Sequence, residues 1–219
     1  LIDAPVTNTL MGLGVFPGTH KRFLGMLGMH GTYQANMAMH NADLIIALGA
    51  RFDDRITNAP DKFAPRAKVI HFDVDHSSVS KIIEADIAVF GQIKDSLQAI
   101  NNHLKTKIDE IDNEKLAPWH QQISDWKEKH GLNHDLYKIE DDSGPILPQA
   151  AVQHIYQESQ GKAFVTSDVG QHQMFAAQYY HFDEPRKWIN SGGLGTMGFG
   201  LPSAMGVKLA YPDEEVICI

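Results

Sequence analysis

Short apolar runs alternate with amphipathic stretches through the first part of the chain. Three runs have the length of buried strands and are bounded by turn-forming or polar residues: 44–48, 69–72 and 87–90. Three stretches have the spacing of helices, with N-caps expected at Thr32 and Ser77: 33–41, 77–84 and 93–104. This alternation predicts βαβ units and a parallel α/β sheet, which binds ligands at the carboxyl ends of its strands.

The second part of the chain begins after a charge-dense segment. Residues 105–145 carry a predicted helix over 119–130 between charged stretches, which is typical of a surface connector. The alternation then resumes from Pro148 with these predicted elements: helix 149–157, strand 163–166, a helix from 171, helix 201–210 and strand 215–219. We therefore predict a domain at 1–105, a charged linker at 106–144 and an incomplete α/β domain at 145–219. Because the chain starts without Met and ends inside an apolar strand, we expect it to be part of a longer protein.

The composition is that of a globular protein. Of the 219 residues, 43% are hydrophobic and 21% are charged. The net charge of −8 disfavours nucleic acid or an anionic membrane surface as the main partner. The uncharged stretch 188–207 is too rich in glycine and polar residues to span a membrane. The single cysteine, Cys218, excludes an intrachain disulfide framework or a multi-thiolate zinc site and favours a reducing, cytoplasmic compartment.

A glycine-rich segment matches the dinucleotide fingerprint GxGxxG at Gly193, Gly195 and Gly198. By itself this motif is a weak signal. Asp213 and Glu214 precede the next strand instead of ending it, which disfavours a nicotinamide site. Two interpretations stay open: a loop that lets a flat or anionic ligand approach the backbone, or a glycine turn with close helix packing.

An acidic cluster follows the second predicted strand. His71, Asp73 and Asp75 share one face of a strand, but no further ligand group with metal-binding spacing accompanies them. The preferred interpretation is that Asp73, at the carboxyl end of the strand, accepts hydrogen bonds from a ribose or ribityl diol. An equally weighted interpretation, compatible with the first, is that Asp75 or Ser77 merely caps the next helix.

Three polar segments follow strands or precede a helix. Residues 49–55 (GARFDDR) directly follow a predicted strand. At this position arginine side chains are well placed to bind a phosphate or carboxylate, and we prefer this interpretation to that of a solvated surface loop. Residues 27–31 (LGMHG) offer backbone N–H groups just before a helix. Residues 168–174 (DVGQHQM) also follow a strand. We expect all three segments to contact a ligand.

These segments carry a resemblance to a known enzyme family. They are TLMGLG (9–14), LGMHG (27–31), GARFDDR (49–55), FDVD (72–75), DVGQHQM (168–174) and SGGLGTMGFGLPSA (191–204). Together they resemble the catalytic subunit of acetohydroxyacid synthase (acetolactate synthase), over essentially the whole chain. The FDDR stretch distinguishes that family from other thiamine-diphosphate enzymes. A pyruvate oxidase or glyoxylate carboligase, and a non-catalytic flavin or nucleotide-binding module, remain the alternatives.

The resemblance implies a fold and an activity. The fold is a Rossmann-like (DHS-like) parallel-sheet flavin-binding domain that lacks its first βα unit, followed by the first half of a thiamine-diphosphate-binding α/β domain. The family is a transferase of branched-chain amino-acid biosynthesis. It decarboxylates pyruvate on thiamine diphosphate and condenses the hydroxyethyl unit with a second 2-keto acid, pyruvate or 2-ketobutyrate. It forms homodimers or tetramers, with a small regulatory subunit in some cases.

The resemblance also implies cofactors and site residues. FAD is a structural cofactor, and Mg²⁺ anchors thiamine diphosphate through a Gly-Asp-Gly…Asn motif expected after Ile219; the activating glutamate is expected on a preceding domain. Arg55 would be catalytic by holding the acceptor's carboxylate. Expected flavin contacts are Thr9, Leu10, Leu27, Gly28, Met29, His30, Gly49, Ala50, Arg51, Asp53, Arg55, Asp73, Val74, Gly91, Gln92, Gln173, Met174, Gly192 and Gly193. Expected thiamine-diphosphate contacts are Val169, Gly170, Gln171, His172, Gly195 and Met197. Where the family usually has Gly-Asp, this chain has Gly91-Gln92, so there only the backbone contact is carried over.

Overall fold

The computed structural model describes residues 1–138 and 144–219, so the end of the predicted linker, 139–143, lies outside the described residues. The chain forms two compact units. One contains Leu1–Pro5 and Leu27–Gly131, and the other contains Val6–Met26 and Leu132–Ile219. Among the described residues, no helix combines the length and apolarity that a bilayer crossing requires.

The elements are short and alternate along the chain. The strands are β1 (Val6–Asn8), β2 (Phe23–Met26), β3 (Leu44–Leu48), β4 (Lys68–Asp73), β5 (Ile87–Phe90), β6 (Phe164–Ser167), β7 (Trp188–Asn190) and β8 (Val216–Cys218). The helices are α1 (Tyr33–Asn41), α2 (Asp54–Thr57), α3 (Ile93–Thr106), α4 (Ala117–His130), α5 (Pro148–Glu158), α6 (Gln171–Tyr179) and α7 (Gly200–Ala210).

The first unit is built on a parallel sheet of order β3-β4-β5, which confirms the fold class predicted from the apolar runs. Its register aligns Leu48 with Phe72 and Asp73 with Phe90, so the carboxyl ends of the three strands lie side by side. Burial alternates along β3, where Ile45 and Ala47 face the core. The polar segments that follow these strands are therefore neighbours at one edge of the sheet.

One predicted helix of the first unit is wrong. Thr32 caps α1 as expected, by accepting the N–H of Ala35 at 3.3 Å. Residues 77–84, however, form turns and bends instead of a helix. The Asp75 carboxylate accepts hydrogen bonds from the N–H and Oγ of Ser77 and from Ser78 Oγ, and these local bonds compete with helix formation. Ser80 also has a φ of +57°, which interrupts any helix there.

The second unit contains a parallel sheet of order β7-β6-β8 and a separate parallel pair, β1-β2. The central strand β6 is buried along its whole length, and Val165 packs with Ala176, Tyr180 and Trp188 in the core. The predicted helix and strand positions after Pro148 are confirmed to within about two residues. Strands β1, β2 and β7 were not predicted, because none of them contains more than two consecutive apolar residues.

Residues 6–26 belong to the second unit, whereas the sequence analysis assigned them to a domain at 1–105. Leu13 and Met26 are buried in the same core as Val165, and Phe23 packs against that core. The apolar side chains of this segment therefore pack in the same core as the part of the chain that follows residue 131.

Candidate functional site

The GARFDDR loop leaves the end of β3 and folds so that one aromatic residue turns inward. The Gly49 N–H donates to the Phe72 carbonyl at 2.8 Å, which fixes the start of the loop to β4. Phe52 has a φ of +53° and is only 6% exposed, with its ring edge-on to Phe63 and His71. The sequence pattern does not predict this anchor, because the segment is mostly polar and reads as a loop. An apolar residue inside a charged segment was the available signal.

Asp53 is the acceptor that shapes the end of this loop. Its carboxylate accepts the Arg55 N–H at 3.0 Å as the N-cap of α2 and pairs with the Arg51 guanidinium. The backbone N–H of Arg55 lowers the pKa of the Asp53 carboxyl below its usual value, and Asp54 and Arg51 act in the same direction. Asp53 is therefore held as a carboxylate by its own loop.

The Arg55 side chain is exposed, and its charge helps to lower the pKa of the Asp53 carboxyl without forming a close ion pair. Among the residues that the structure describes, no carboxylate lies within ion-pair distance of its guanidinium, and Nη1 lies 3.5 Å from Met29 Sδ. The neighbouring Arg51 takes the Asp53 ion pair instead. An exposed guanidinium without an internal ion pair can bind a carboxylate or phosphate of a ligand, to which it donates hydrogen bonds, without first losing an internal partner.

The LGMHG segment lies against the same loop. The Met29 N–H donates to the Arg55 carbonyl at 2.9 Å. Asn36, on α1, holds Gly28 from the other side: its Oδ1 accepts the Gly28 N–H at 2.8 Å and its Nδ2 donates to the Gly28 carbonyl at 3.0 Å. The structure thus brings 27–30 together with 53–55. The sequence does not point to Asn36, since a single polar residue in a helix gives no distinct signal.

Asn36→Ala is expected to lower the free energy of unfolding by about 1–3 kcal/mol, because both hydrogen bonds to Gly28 are lost while its backbone groups stay partly buried. Urea unfolding of the full-length protein measures this. Asn101→Ala on an exposed position of α3 is the matched control and should be neutral or slightly stabilising through helix propensity. Equal effects of the two substitutions would show that the hydrogen bonds of Asn36 to Gly28 do not stabilise the protein.

Asp73 ends β4 beside the last residue of β5. The Gly91 N–H donates to the Asp73 carbonyl at 3.1 Å, and Asp73 Oδ1 accepts the Asp75 N–H at 2.9 Å. His71 lies on the same side, with Nε2 3.9 Å from Asp73 Oδ2, and is fully buried. Among the described residues, no group of three acidic, His or Cys side chains is arranged to hold a metal.

The other expected contacts of this unit lie along the same edge. Ala50 follows Gly49 in the GARFDDR loop, Val74 follows Asp73 and is 60% exposed, and Gln92 precedes α3 without capping it through its side chain. The Asp73 carboxylate suits hydroxyl donors, and the arginines of the loop suit a diphosphate. This donor set fits a flavin nucleotide.

A second edge lies at the carboxyl end of β6 in the other unit. Helix α6 begins at Gln171, and Gly170 stands at its N-cap with no side-chain hydrogen bond to the first turn. The N–H groups at the start of this nine-residue helix therefore face the edge, where an anion is favoured. Gly170 has a φ of +156°, and a Cβ there would lie 2.8 Å from His172 Cε1, so the Gly170 backbone and the His172 ring lie close together.

Gln173 and Met174 lie further along α6. Gln173 is buried, and its Nε2 donates to Asn190 Oδ1 at 3.2 Å, so that its side chain is used within the unit. Met174 is half-buried. The structure therefore gives the Gln173 side chain a partner that sequence reasoning did not supply.

The glycines of the loop between β7 and α7 do not all serve the same purpose. Some support the interpretation of the GxGxxG segment as a close-packed turn, and others support its interpretation as a loop that a ligand can approach. A Cβ on Gly192 would lie 2.5 Å from Met11 Sδ and 3.3 Å from Leu10 Cδ2, which brings the Thr9–Leu10 segment into this unit's edge. A Cβ on Gly193 would meet no described atom within 4 Å, and one on Gly195 would meet only Val169 Cγ1 at 3.9 Å. Gly192 thus serves close packing, whereas Gly193 and Gly195 leave open backbone.

This open backbone lies close to the start of α6. Gly195 has a φ of +63°, and Met197 is 81% exposed beside it. Helix N–H donors together with a loop that has room for a ring fit a cofactor with a diphosphate and a flat heterocycle.

Comparison with known proteins identifies the class of protein to which these two domains correspond. Residues 1–100 match the thiamine pyrophosphate enzyme central domain, and residues 168–219 match the C-terminal TPP-binding domain of thiamine pyrophosphate enzymes. The chain therefore contains two domains of the kinds found in thiamine pyrophosphate enzymes.

Individual relatives narrow this class. Over 218 residues the chain is 51% identical to the acetolactate synthase isozyme 3 large subunit of Escherichia coli (strain K12) and 54% identical to the acetolactate synthase large subunit of Buchnera aphidicola subsp. Schlechtendalia chinensis. It is 44% identical over 219 residues to acetolactate synthase 1, chloroplastic, of Nicotiana tabacum. Each match covers 100% of this chain but only 37%, 37% and 32% of the relative. The chain belongs to the acetolactate synthase large-subunit family and spans about a third of the length of these relatives.

Proposed function

We propose that the full-length protein carrying this chain is an acetolactate synthase. It joins a two-carbon unit from pyruvate to a second 2-keto acid, pyruvate or 2-ketobutyrate, in branched-chain amino-acid biosynthesis. The observation that carries this proposal is similarity to acetolactate synthase large subunits over the whole of this chain, whose distinctive motifs lie at the carboxyl ends of parallel strands. A pyruvate oxidase, a glyoxylate carboligase and a non-catalytic module are not favoured by these relatives.

The second unit would hold thiamine diphosphate. When bound, this cofactor supplies the nucleophilic carbon that adds to a keto group and stabilises the charge left by departing CO₂. The first N–H groups of α6, at Gln171 and His172, would bind the diphosphate end. The open backbone at Gly193 and Gly195 would admit the ring, and the exposed Met197 would pack against it. We propose that Mg²⁺ accompanies the diphosphate through ligands outside the 219 residues.

The first unit would hold FAD as a structural cofactor. Asp73 would accept hydrogen bonds from hydroxyl groups of the ligand through Oδ2. The other carboxylate oxygen, Oδ1, is the one that accepts the Asp75 N–H. Arg51 would face the diphosphate. The backbone of Leu27–His30 would complete this site, held in place by the Asn36 contacts with Gly28.

Arg55 would bind the carboxylate of the acceptor 2-keto acid. Its guanidinium forms no ion pair with a described carboxylate, and Met29 provides an apolar neighbour at 3.5 Å. An arginine fork binds a carboxylate in a fixed orientation, which places the keto carbon of the acceptor for bond formation. This role would make Arg55 the catalytic residue of the chain.

The assembly and the compartment are also proposals. The relatives from Escherichia coli and Buchnera aphidicola are named as large subunits, which supports a companion regulatory subunit alongside a homodimer or tetramer of this protein. The single cysteine supports a reducing, cytoplasmic compartment. Light scattering of the purified full-length protein, alone and with a co-expressed small subunit, tests the assembly.

The test of the activity is acetolactate formation by the purified full-length protein with pyruvate, thiamine diphosphate, Mg²⁺ and FAD. Omission of thiamine diphosphate should abolish the product. No acetolactate from a folded, cofactor-loaded protein would overturn the proposal.

The isolated 219-residue chain is expected to form no acetolactate under the same conditions, because it spans only 37% of its bacterial relatives and catalytic groups must be held together to act. We also expect it to purify without stoichiometric flavin, since a partial site must order itself on binding. Product assay and the flavin absorbance of the purified chain measure both. Turnover above trace level, or a yellow stoichiometric flavoprotein, would contradict these expectations.

A further inference from the structure

The glycine-rich loop that follows β7 is tied at two points. At its start, the Ser191 carbonyl accepts the Gly195 N–H at 2.8 Å, and Ser191 Oγ accepts the Thr196 N–H at 3.0 Å. At its end, the Gly198 N–H donates to both carboxylate oxygens of Asp168, each at 2.9 Å. The first tie lies within the loop itself, whereas the second connects the loop to the end of β6.

Asp168 is itself fixed in position. Its N–H donates to the Ile219 carbonyl at 2.9 Å, and its carbonyl accepts Ser167 Oγ at 2.8 Å. The carboxylate oxygen Oδ1 also accepts the Val169 N–H at 2.7 Å. Since β6 is the central strand of its sheet, the carboxylate is an anchor attached to the most buried strand of the unit.

We propose that Asp168 is a positioning residue for thiamine diphosphate. Its carboxylate holds the Gly198 end of the loop, so that Gly195 and Met197 are already placed when the cofactor arrives. In this role Asp168 contacts neither cofactor nor substrate. The inference rests on the proposed function, because it takes this loop as part of the thiamine-diphosphate site.

The part of the loop from Gly193 to Gly198 depends on this anchor because little else packs against it. A Cβ on Gly198 would meet no described atom within 4 Å, and the residue has a φ of +84°. Leu194 and Met197 are 94% and 81% exposed. A ligand that binds an already ordered loop does not spend binding free energy on ordering it. Removal of the anchor therefore weakens cofactor binding, whereas the bound cofactor restores the loop and leaves turnover at saturation nearly unchanged.

Asp168→Ala and Asp168→Asn in the full-length protein test this role. The asparagine variant retains an oxygen acceptor for the N–H groups of Val169 and Gly198. Asp183→Ala is the matched control, because Asp183 Oδ1 accepts the Thr19 N–H at 2.9 Å in the same unit, and among the described residues Asp183 forms no hydrogen bond or ion pair with the loop. Three measurements are made: calorimetric titration of thiamine diphosphate in the presence of Mg²⁺, limited proteolysis of the loop without cofactor, and the thermal midpoint.

We expect the Kd of thiamine diphosphate to rise about tenfold in Asp168→Ala, equivalent to ~1.4 kcal/mol, and to stay within about threefold of wild type in Asp168→Asn and Asp183→Ala. Proteolysis between residues 191 and 198 should accelerate in Asp168→Ala alone, and kcat at saturating cofactor should fall less than about threefold. A lower thermal midpoint with an unchanged Kd, or an asparagine variant as weak as the alanine variant, would overturn the proposal. If wild type binds thiamine diphosphate but forms no acetolactate, only the proposed function fails, because Kd and proteolysis still report the anchor.

Discussion

Replacing Arg55 with alanine or lysine in the full-length protein is expected to lower kcat/KM for acetolactate formation roughly thirty- to thousandfold, equivalent to about 2–4 kcal/mol of transition-state binding. The reason is that a charge-assisted, bidentate contact with the acceptor carboxylate is lost, and the lysine ammonium cannot reproduce the planar fork. The effect should fall on the carboligation step. Decarboxylation of the first pyruvate should survive better, with acetaldehyde released in place of acetolactate.

Acetolactate and acetaldehyde should be measured together in each variant, with the thermal midpoint as a folding control. Arg66→Ala is the matched substitution, because Arg66 is an exposed arginine whose Nη2 lies 3.0 Å from Asn41 Oδ1. It should leave the product ratio unchanged. If acetolactate output stays within about threefold of wild type in both Arg55 variants, the carboxylate contact is wrong and the guanidinium has at most the small effect of an exposed charge.

Gly28→Ala is expected to destabilise the first unit by about 2–4 kcal/mol and to abolish stoichiometric flavin in the full-length protein. Gly28 has a φ of +100°, and a Cβ there would lie 2.5 Å from the Arg55 carbonyl oxygen and 3.1 Å from Ile56 Cα. Backbone atoms cannot move aside as a flexible side chain can. Either the LGMHG segment or the start of α2 must therefore shift, and both belong to the proposed flavin site.

Urea unfolding and the ratio of flavin to protein measure the two consequences separately. Gly206→Ala is the control, because a Cβ at Gly206 would meet no described atom within 4 Å and alanine is the better helix former in α7. That variant should be as stable as wild type or slightly more so. A Gly28→Ala protein with full flavin and a free energy of unfolding within about 0.5 kcal/mol of wild type would show that the close approach can relax without cost.

The sequence predicts structure best where the pattern of apolar residues within a few positions decides the local conformation. The apolar runs at β3, β4 and β5 are long enough to be recognised as buried strands, and parallel pairing then places the residues after them at one edge. Arg55 and Asp73 could therefore be selected before their positions were known. The DVGQHQM segment could be selected in the same way, as the residues that follow β6.

The expectations that failed, and the residues that were missed, depended on distant or competing contacts. Residues 77–84 have helical spacing, but the hydrogen bonds from Ser77 and Ser78 to Asp75 hold turns there instead. Asn36 and Phe52 act on the loops through partners that are not adjacent in sequence. Such contacts leave no periodic signal in the sequence.

The sequence by itself determined the α/β class, the parallel strands and the polar segments that end them, because these follow from hydrophobic periodicity and turn chemistry over a few residues. Tertiary structure alone decided that residues 6–26 pack with the second unit, that Arg51 and not Arg55 takes the Asp53 ion pair, and that Gly192 serves packing while Gly193 stays open. The physical reason is that burial, ion pairing and close backbone approach depend on which distant atoms arrive next to a residue. That arrangement exists only once the strands have paired and the cores have closed.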